Sequence, residues 1–218
     1  MYLFTYSYIM YLTIFLFKEQ LMTKETHTSG GFFIALLALN SFTAKYISNY
    51  DLYYKIFLII IYFYSANLGS LFPDIDMKSS FISKRHPFIA KHFGKRLRHR
   101  GITHSLIFLF TLFLLFKVLI SISSFNIVVI TISYGFLFGY TSHLLLDLLT
   151  KEGIELFFPL KTNIKIFFIK TGSKGEKIFY NFLKGITFLL IVYNIYLILN
   201  NQFHFNILNF LKFDKILH

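Results

Sequence analysis

Four separated stretches of the chain carry side chains able to hold a divalent metal ion. His27 is followed by Gly30-Gly31. Asp74 and Asp76 lie in Pro73-Asp74-Ile75-Asp76. His99 and His104 lie in Arg98-His99-Arg100-Gly101-Ile102-Thr103-His104-Ser105, and His143 and Asp147 follow Gly139 at intervals of four. Residues four apart project from one face of a helix, so His143 and Asp147 can share an ion. Asp74 and Asp76 straddle a tight segment after a proline, a short-range carboxylate pair of the kind that chelates or bridges metals. The chain has no cysteine, which excludes disulfides and thiolate chemistry and leaves imidazole and carboxylate as donors. Those donors suit Zn, with Mn or Fe as alternatives. Three Asp and up to four His exceed one tetrahedral site, so one or two ions per chain are expected.

The chemistry such a set supports is metal-assisted hydrolysis. A water gives up its proton to a carboxylate not fully engaged by metal, and Asp74 is the candidate. Arg98 and Arg100 hold an anionic group of the substrate or the charge that develops. Each stretch also has a simpler reading. Asp74 and Asp76 could cap a turn or pair with an arginine, residues 98–104 could form a basic cluster for anionic lipids, and His143 with Asp147 could be a hydrogen-bonded pair inside a bundle. Their convergence argues for metal. His86, His92, His204 and His218 read as surface residues, and Glu176 as a cap or brace ahead of the last apolar segment.

The elements that position these residues are transmembrane helices. Of 218 residues 56% are hydrophobic and 15% charged, with 30 Phe, 15 Tyr and a mean hydropathy of +0.60. That balance excludes a soluble globular enzyme, a disordered chain and a disulfide scaffold. Candidate spans are 1–17, 29–46, 56–73, 105–121, 127–148 and 185–203, the first being short and aromatic-rich. Segments 105–121 and 127–148 read as a helical hairpin. Segment 164–184 reads either as a surface hairpin or as an interfacial amphipathic piece. The predicted fold class is therefore an all-α, polytopic integral membrane bundle of five or six spans.

Loops 77–104 and 151–184 fall on one side and, with Lys18 and Lys24, carry 17 of the 22 basic residues. The positive-inside rule makes that side cytoplasmic, and all four metal-binding stretches then fall at cytoplasmic helix ends. The formal charge of +12 is largely topological. Anionic lipid headgroups at the two basic loops are the expected partners, and no nucleic acid is expected, because the basic residues flank spans instead of forming a soluble module. The competing class is non-enzymatic: a lipid-binding scaffold, or a metal-ion transporter. A transporter would carry ionisable groups at the bilayer midplane, where this sequence has few.

In order and spacing, the four stretches resemble the YdjM family of predicted inner-membrane metal-dependent hydrolases. Thr150-x-x-Gly153, Phe158-Pro159-Leu160 and Thr171-Gly172-Ser173-x-x-Glu176 fit the same pattern. The resemblance covers roughly residues 22–200. It implies metal binding by His27, Asp74, Asp76, His99, His104, His143 and Asp147, hydrolase activity, and a location in a prokaryotic cytoplasmic membrane. Family members begin close before the first His, which favours Met22 as the start. The expected organisation is thus an optional N-terminal hydrophobic segment 1–21, one membrane-embedded domain 22–203 and a short tail 204–218. The site lies at headgroup depth, so the expected substrate is an ester or phosphoester of a lipid-linked molecule.

Overall fold

The computed structural model describes residues 24–93 and 100–203, and the candidate span 1–17 lies outside them. Helix α1 (Lys24–Phe42) continues through a π-turn at Thr43–Ile47. Asp51 caps helix α2 (Leu52–Leu71) by accepting from the Tyr54 amide. Pro73 sits in the 3-10 turn Phe72–Asp76 that ends it. Two short helices follow, α3 (Phe81–Arg85) and α4 (Pro87–Phe93), and a 3-10 turn at Ile102–His104 leads into α5 (Leu106–Ile122). Helix α6 (Ile127–Leu148) completes a hairpin with α5, and α7 (Lys174–Phe203) closes the bundle.

The protein is an all-α membrane bundle. Segments Lys24–Ile47, Leu52–Asp76, Ile127–Leu148 and Lys174–Leu197 are long and apolar enough to cross a bilayer, and α5 is a shorter apolar helix of 17 residues. At ~1.5 Å per residue such helices match a hydrocarbon core of about 30 Å. The expected hairpin is present, its turn made by Ser124 and Phe125 at positive φ, with Asn126 accepting from the amides of Val128 and Val129.

The last helix differs from expectation. It begins at Lys174 instead of 185, because Ser173 accepts from the Glu176 amide and starts the helix before the apolar run does. Lys174, Lys177 and Lys184 are exposed on its first turns. The stretch 149–173 is neither of the two forms expected for 164–184. It is irregular chain held by isolated bridges, Thr150 with Ile169 and Ile154 with Ile164. The amides of Ile166 and Ile169 bond the Leu148 and Leu149 carbonyls, so this stretch seals the end of α6.

Helices α2 and α6 form the spine, and small residues set their separation. A Cβ on Gly69 would lie 2.1 Å from the Phe136 carbonyl oxygen, and one on Gly139 would lie 1.9 Å from that of Ala66. Gly135 and Gly139 thus form a small-xxx-small stripe on α6 facing Ser65, Ala66, Gly69 and Ser70 of α2, the arrangement by which backbones pack closely in lipid. Around it Leu36, Leu39, Phe42, Leu58, Tyr62 and Ile130 are buried together, and the Tyr62 hydroxyl donates to the Ala35 carbonyl at 3.0 Å.

Glu176 joins three elements at the end where α1 begins. Its Oε1 accepts from Thr26 of α1 at 2.9 Å and its Oε2 from the Gly172 amide at 2.6 Å. Hydrogen bonds to a charged group contribute ~1.5–3 kcal/mol each. Glu176→Ala is therefore expected to lower stability by about 3 kcal/mol or more. Thermal unfolding in detergent checks this, and an unchanged Tm would show that α7 is not anchored here.

Candidate metal centre

The beginning of α1, the end of α2 and the end of α6 meet, with the 3-10 turn before α5, at one end of the bundle. His27, His104, His143 and Asp147 are each at most 2% exposed there. Asp74, with 15% side-chain exposure, is the most accessible of the group. The i, i+4 spacing on α6 places His143 Nε2 3.5 Å from Asp147 Oδ2. His104 Nε2 lies 3.2 Å from His143 Nε2 and 3.4 Å from Asp147 Oδ2. Asp74 Oδ1 stands 3.7 Å from His104 Nε2 and 3.6 Å from His143 Nε2.

Hydrogen bonding behind the rings fixes what these atoms are. His143 Nδ1 is 2.7 Å from the Ser70 carbonyl, which can only accept, so Nδ1 carries the proton and Nε2 a lone pair. Thr103 donates its hydroxyl to Asp76 Oδ2 at 2.7 Å and lies 3.1 Å from His104 Nδ1. With its own hydrogen committed, Thr103 accepts from His104 Nδ1–H, and His104 Nε2 is likewise left to accept. With both rings neutral, two imidazole lone pairs and two carboxylate oxygens face one another.

Such a group can accept a cation, either a metal ion or a proton on His104. The five separations run from 3.2 to 3.7 Å. A tetrahedron with metal–ligand bonds of 2.0–2.1 Å has edges of about 3.3–3.4 Å. His104, His143 and Asp147 form one triad with metal-ligand spacing, and His27, Asp74 and His143 form a second that shares His143. These buried His and Asp groups could hold a metal ion.

A proton is the other cation available to His104. Burial disfavours its imidazolium, but hydrogen bonds to Asp74 and Asp76 and the charge of Asp147 outweigh this and push its pKa up to about 9.

The structure separates the two aspartates of the proline turn. A 3-10 turn rotates about 120° per residue, so Asp74 and Asp76 point to different sides. Asp74 faces Nε2 of His104 among the converging atoms, and Asp76 stands 3.5 Å from Nδ1 of the same ring, also accepting from the Arg100 amide. Asp76 is thus an orienting carboxylate behind an imidazole, a recurrent partner of metal-bound histidine.

Arg100, expected to hold an anionic group of the substrate, is 9% exposed. Its guanidinium turns inward, bonding Asp147 Oδ1 at 3.3 Å, Thr150 Oγ1 at 3.1 Å and the Gly153 carbonyl at 3.2 Å. This is the Asp–Arg pair foreseen for the proline turn, formed with the aspartate of α6 instead. His27 stacks on His143 with ring centroids 3.8 Å apart, its Nε2 3.7 Å from Asp147 Oδ1, while its buried Nδ1 has no hydrogen-bond partner. Arg98 and His99 lie outside the described residues.

Sequence reading passed over Thr103, Thr150 and Ser70. Both threonines lie inside quoted motifs, where Thr103 could have suggested a hydroxyl bonded to a carboxylate and Thr150 a hydroxyl donating to the Asp147 carbonyl and accepting from Arg100. Ser70 acts through its backbone carbonyl, so its identity carries no signal.

The chain can be compared with known proteins on this basis. Residues 22–203 match the family model described as YdjM inner membrane protein. The uncharacterized protein YvsG of Bacillus subtilis is 32% identical over 158 residues, 72% of this chain and 86% of that protein. The inner membrane protein YdjM of Escherichia coli is 30% identical over 145 residues, 66% of this chain and 69% of that protein, and its Shigella flexneri counterpart matches equally. No solved structure matches. With the family model covering the helices and loops that build the site, the chain belongs to the YdjM inner membrane protein family.

Proposed function

We propose that this protein is a metal-dependent hydrolase working at the cytoplasmic face of the membrane. The observation that carries the reading is the buried convergence of His104 Nε2, His143 Nε2, Asp74 Oδ1 and Asp147 Oδ2 at metal-ligand spacing. His104, His143 and Asp147 would hold the ion from the buried side, the three protein ligands usual for a catalytic zinc site. Zinc is the proposed metal, with Mn and Fe tested beside it. When bound, such an ion polarises an ester or phosphoryl oxygen and eases deprotonation of water.

The remaining work falls to the chain's own residues. Asp74, at the solvent side, takes the proton of the attacking water and delivers it to the leaving group. Thr103 and Asp76 hold the His104 ring by Nδ1, and the Ser70 carbonyl does the same for His143. Arg100 fixes the Asp147 carboxylate and balances its charge. In this reading Arg100 acts as a positioning residue, and Arg98 is left to meet an anionic substrate. The substrate class is an ester or phosphoester of a lipid-linked molecule, since the site lies at the end of membrane-crossing helices.

The test is hydrolysis of p-nitrophenyl ester and phosphodiester probes, and of lipid phosphoesters, by chelator-stripped and zinc-reloaded protein. Turnover that returns with metal and disappears in Asp74→Asn, while metal is still taken up, supports the reading. Full metal binding with no turnover on any probe would mark the site as structural.

The high pKa of His104 gives a pH prediction with a definite sign. Its proton stabilises the chelator-stripped fold fully below the ordinary value of 6.5, and this contribution is lost as pH rises through about 9. A metal must displace that proton, so zinc affinity should rise with pH up to about 9, with proton release on binding. Titration calorimetry in buffers of different ionisation enthalpy measures the release. Affinity that is flat across this range would contradict His104 as a ligand.

A further inference from the structure

A groove of about 750 Å³ runs along the bundle between α1, α2 and α7, beside the metal-binding end. Its size falls within the roughly 300–1,000 Å³ of ligand clefts. Phe32, Leu36, Phe63 and Ile191 make its wall, while Ile60, Phe188 and Ile195 stand at its rim, 62%, 64% and 51% exposed. All three helices are long and apolar enough to cross a membrane, so whatever fills the groove does so from within the bilayer.

Its polar groups are unevenly placed. Ser29, two residues beyond His27, lines the upper end of the α1 wall, and Lys184 and Thr187 line the α7 wall. Lys184 is the last charge on α7 before the uncharged run 185–211. It lies eight residues, or about 12 Å at ~1.5 Å per residue, beyond Glu176, which is tied to Thr26 next to His27. An ammonium there reaches headgroup depth on its flexible stem, above an apolar slot.

We propose that the groove binds one acyl chain of an anionic glycerophospholipid, with Lys184 paired to the headgroup phosphate. This deepens the hydrolase reading and rests on it only in naming the bound lipid as substrate, because occupancy can be measured separately from metal. The phosphate supplies the negative charge that Lys184 recognises, and the chain fills a wall that is apolar apart from Ser29, Thr187 and Asn194. Held this way, the lipid has its ester groups on the metal-centre side of the bundle.

Bound lipid is counted by native mass spectrometry on delipidated, zinc-loaded full-length protein given phosphatidylglycerol or phosphatidylcholine. The expected result is one retained phosphatidylglycerol per chain, preferred at least tenfold over phosphatidylcholine. Lys184→Gln abolishes the preference, Ile60→Trp, which fills the slot, removes retention of both lipids, and metal content is unchanged in each. Equal retention of the two lipids, a preference untouched by Lys184→Gln, or a lipid-free wild-type dimer would each overturn the proposal. Loss of metal from wild type with lipid preference intact would count against the hydrolase reading alone.

Discussion

Asp147→Ala is expected to abolish metal retention and to destabilise the protein by about 3–5 kcal/mol. Both effects follow from the two sides of this carboxylate. Oδ2 faces the two imidazole lone pairs, and Oδ1 neutralises the Arg100 guanidinium, whose side chain is only 11% exposed. Removing the carboxylate leaves that buried guanidinium with only the exposed Glu152, 3.8 Å away, as counter-charge, the costly way to break a buried pair. Asp74→Asn should behave differently. Asp74 is partly exposed and has no arginine or lysine partner among the described residues, so metal should still be taken up while stability changes by less than about 1 kcal/mol. Metal content and thermal unfolding of the two variants, side by side, test the division. Equal destabilisation would mean that the carboxylates serve one structural role.

Gly139→Ala is expected to be nearly as severe although it adds one methyl group. The new Cβ would sit 1.9 Å from the Ala66 carbonyl oxygen and 2.8 Å from the Ser70 amide nitrogen. These are backbone atoms, which cannot move aside by changing rotamer. Alanine gains up to ~1 kcal/mol of helix propensity over glycine, but overpacking costs about 1–3 kcal/mol or more, and a backbone clash lies at the upper end. The displaced segment also carries the Ser70 carbonyl that orients His143, so metal affinity should fall by the ~10–100-fold typical of lost outer partners. Gly185→Ala is the control. Nothing lies within 4 Å of its added Cβ, and stability should rise slightly. If both variants unfold at the wild-type temperature, the α2–α6 contact is looser than described.

Most of the bundle could be read from the sequence because membrane crossing is a strong constraint. Apolar runs of the right length give helices whatever their neighbours, and the hairpin at 105–148 was legible from its Ser and Asn turn. The start of α7 was not, because a helix can extend beyond hydrocarbon into a lysine-rich turn once Ser173 caps it. At the site, residue types and order were enough to expect His27, Asp74, His104, His143 and Asp147 to come together, as they do, since costly ionisable groups at helix ends need a common reason. Their division of labour was not legible. Which way Asp76 points depends on the 3-10 rotation after Pro73, and the inward turn of Arg100 depends on Thr150 and Gly153, fifty residues away. Spacing reports which residues can meet, and tertiary packing decides which atom of each is presented.

The most direct test of the account is the metal content of detergent-purified protein, stripped with chelator, reloaded with zinc and measured by elemental analysis against His143→Ala. Tightly held zinc in wild type, one ion for the His104–His143–Asp147 triad, and its loss from a still-folded variant are the predicted results. Substoichiometric zinc that is the same in both proteins would contradict the account, and would make the converging His and Asp residues a proton-sharing structural cluster.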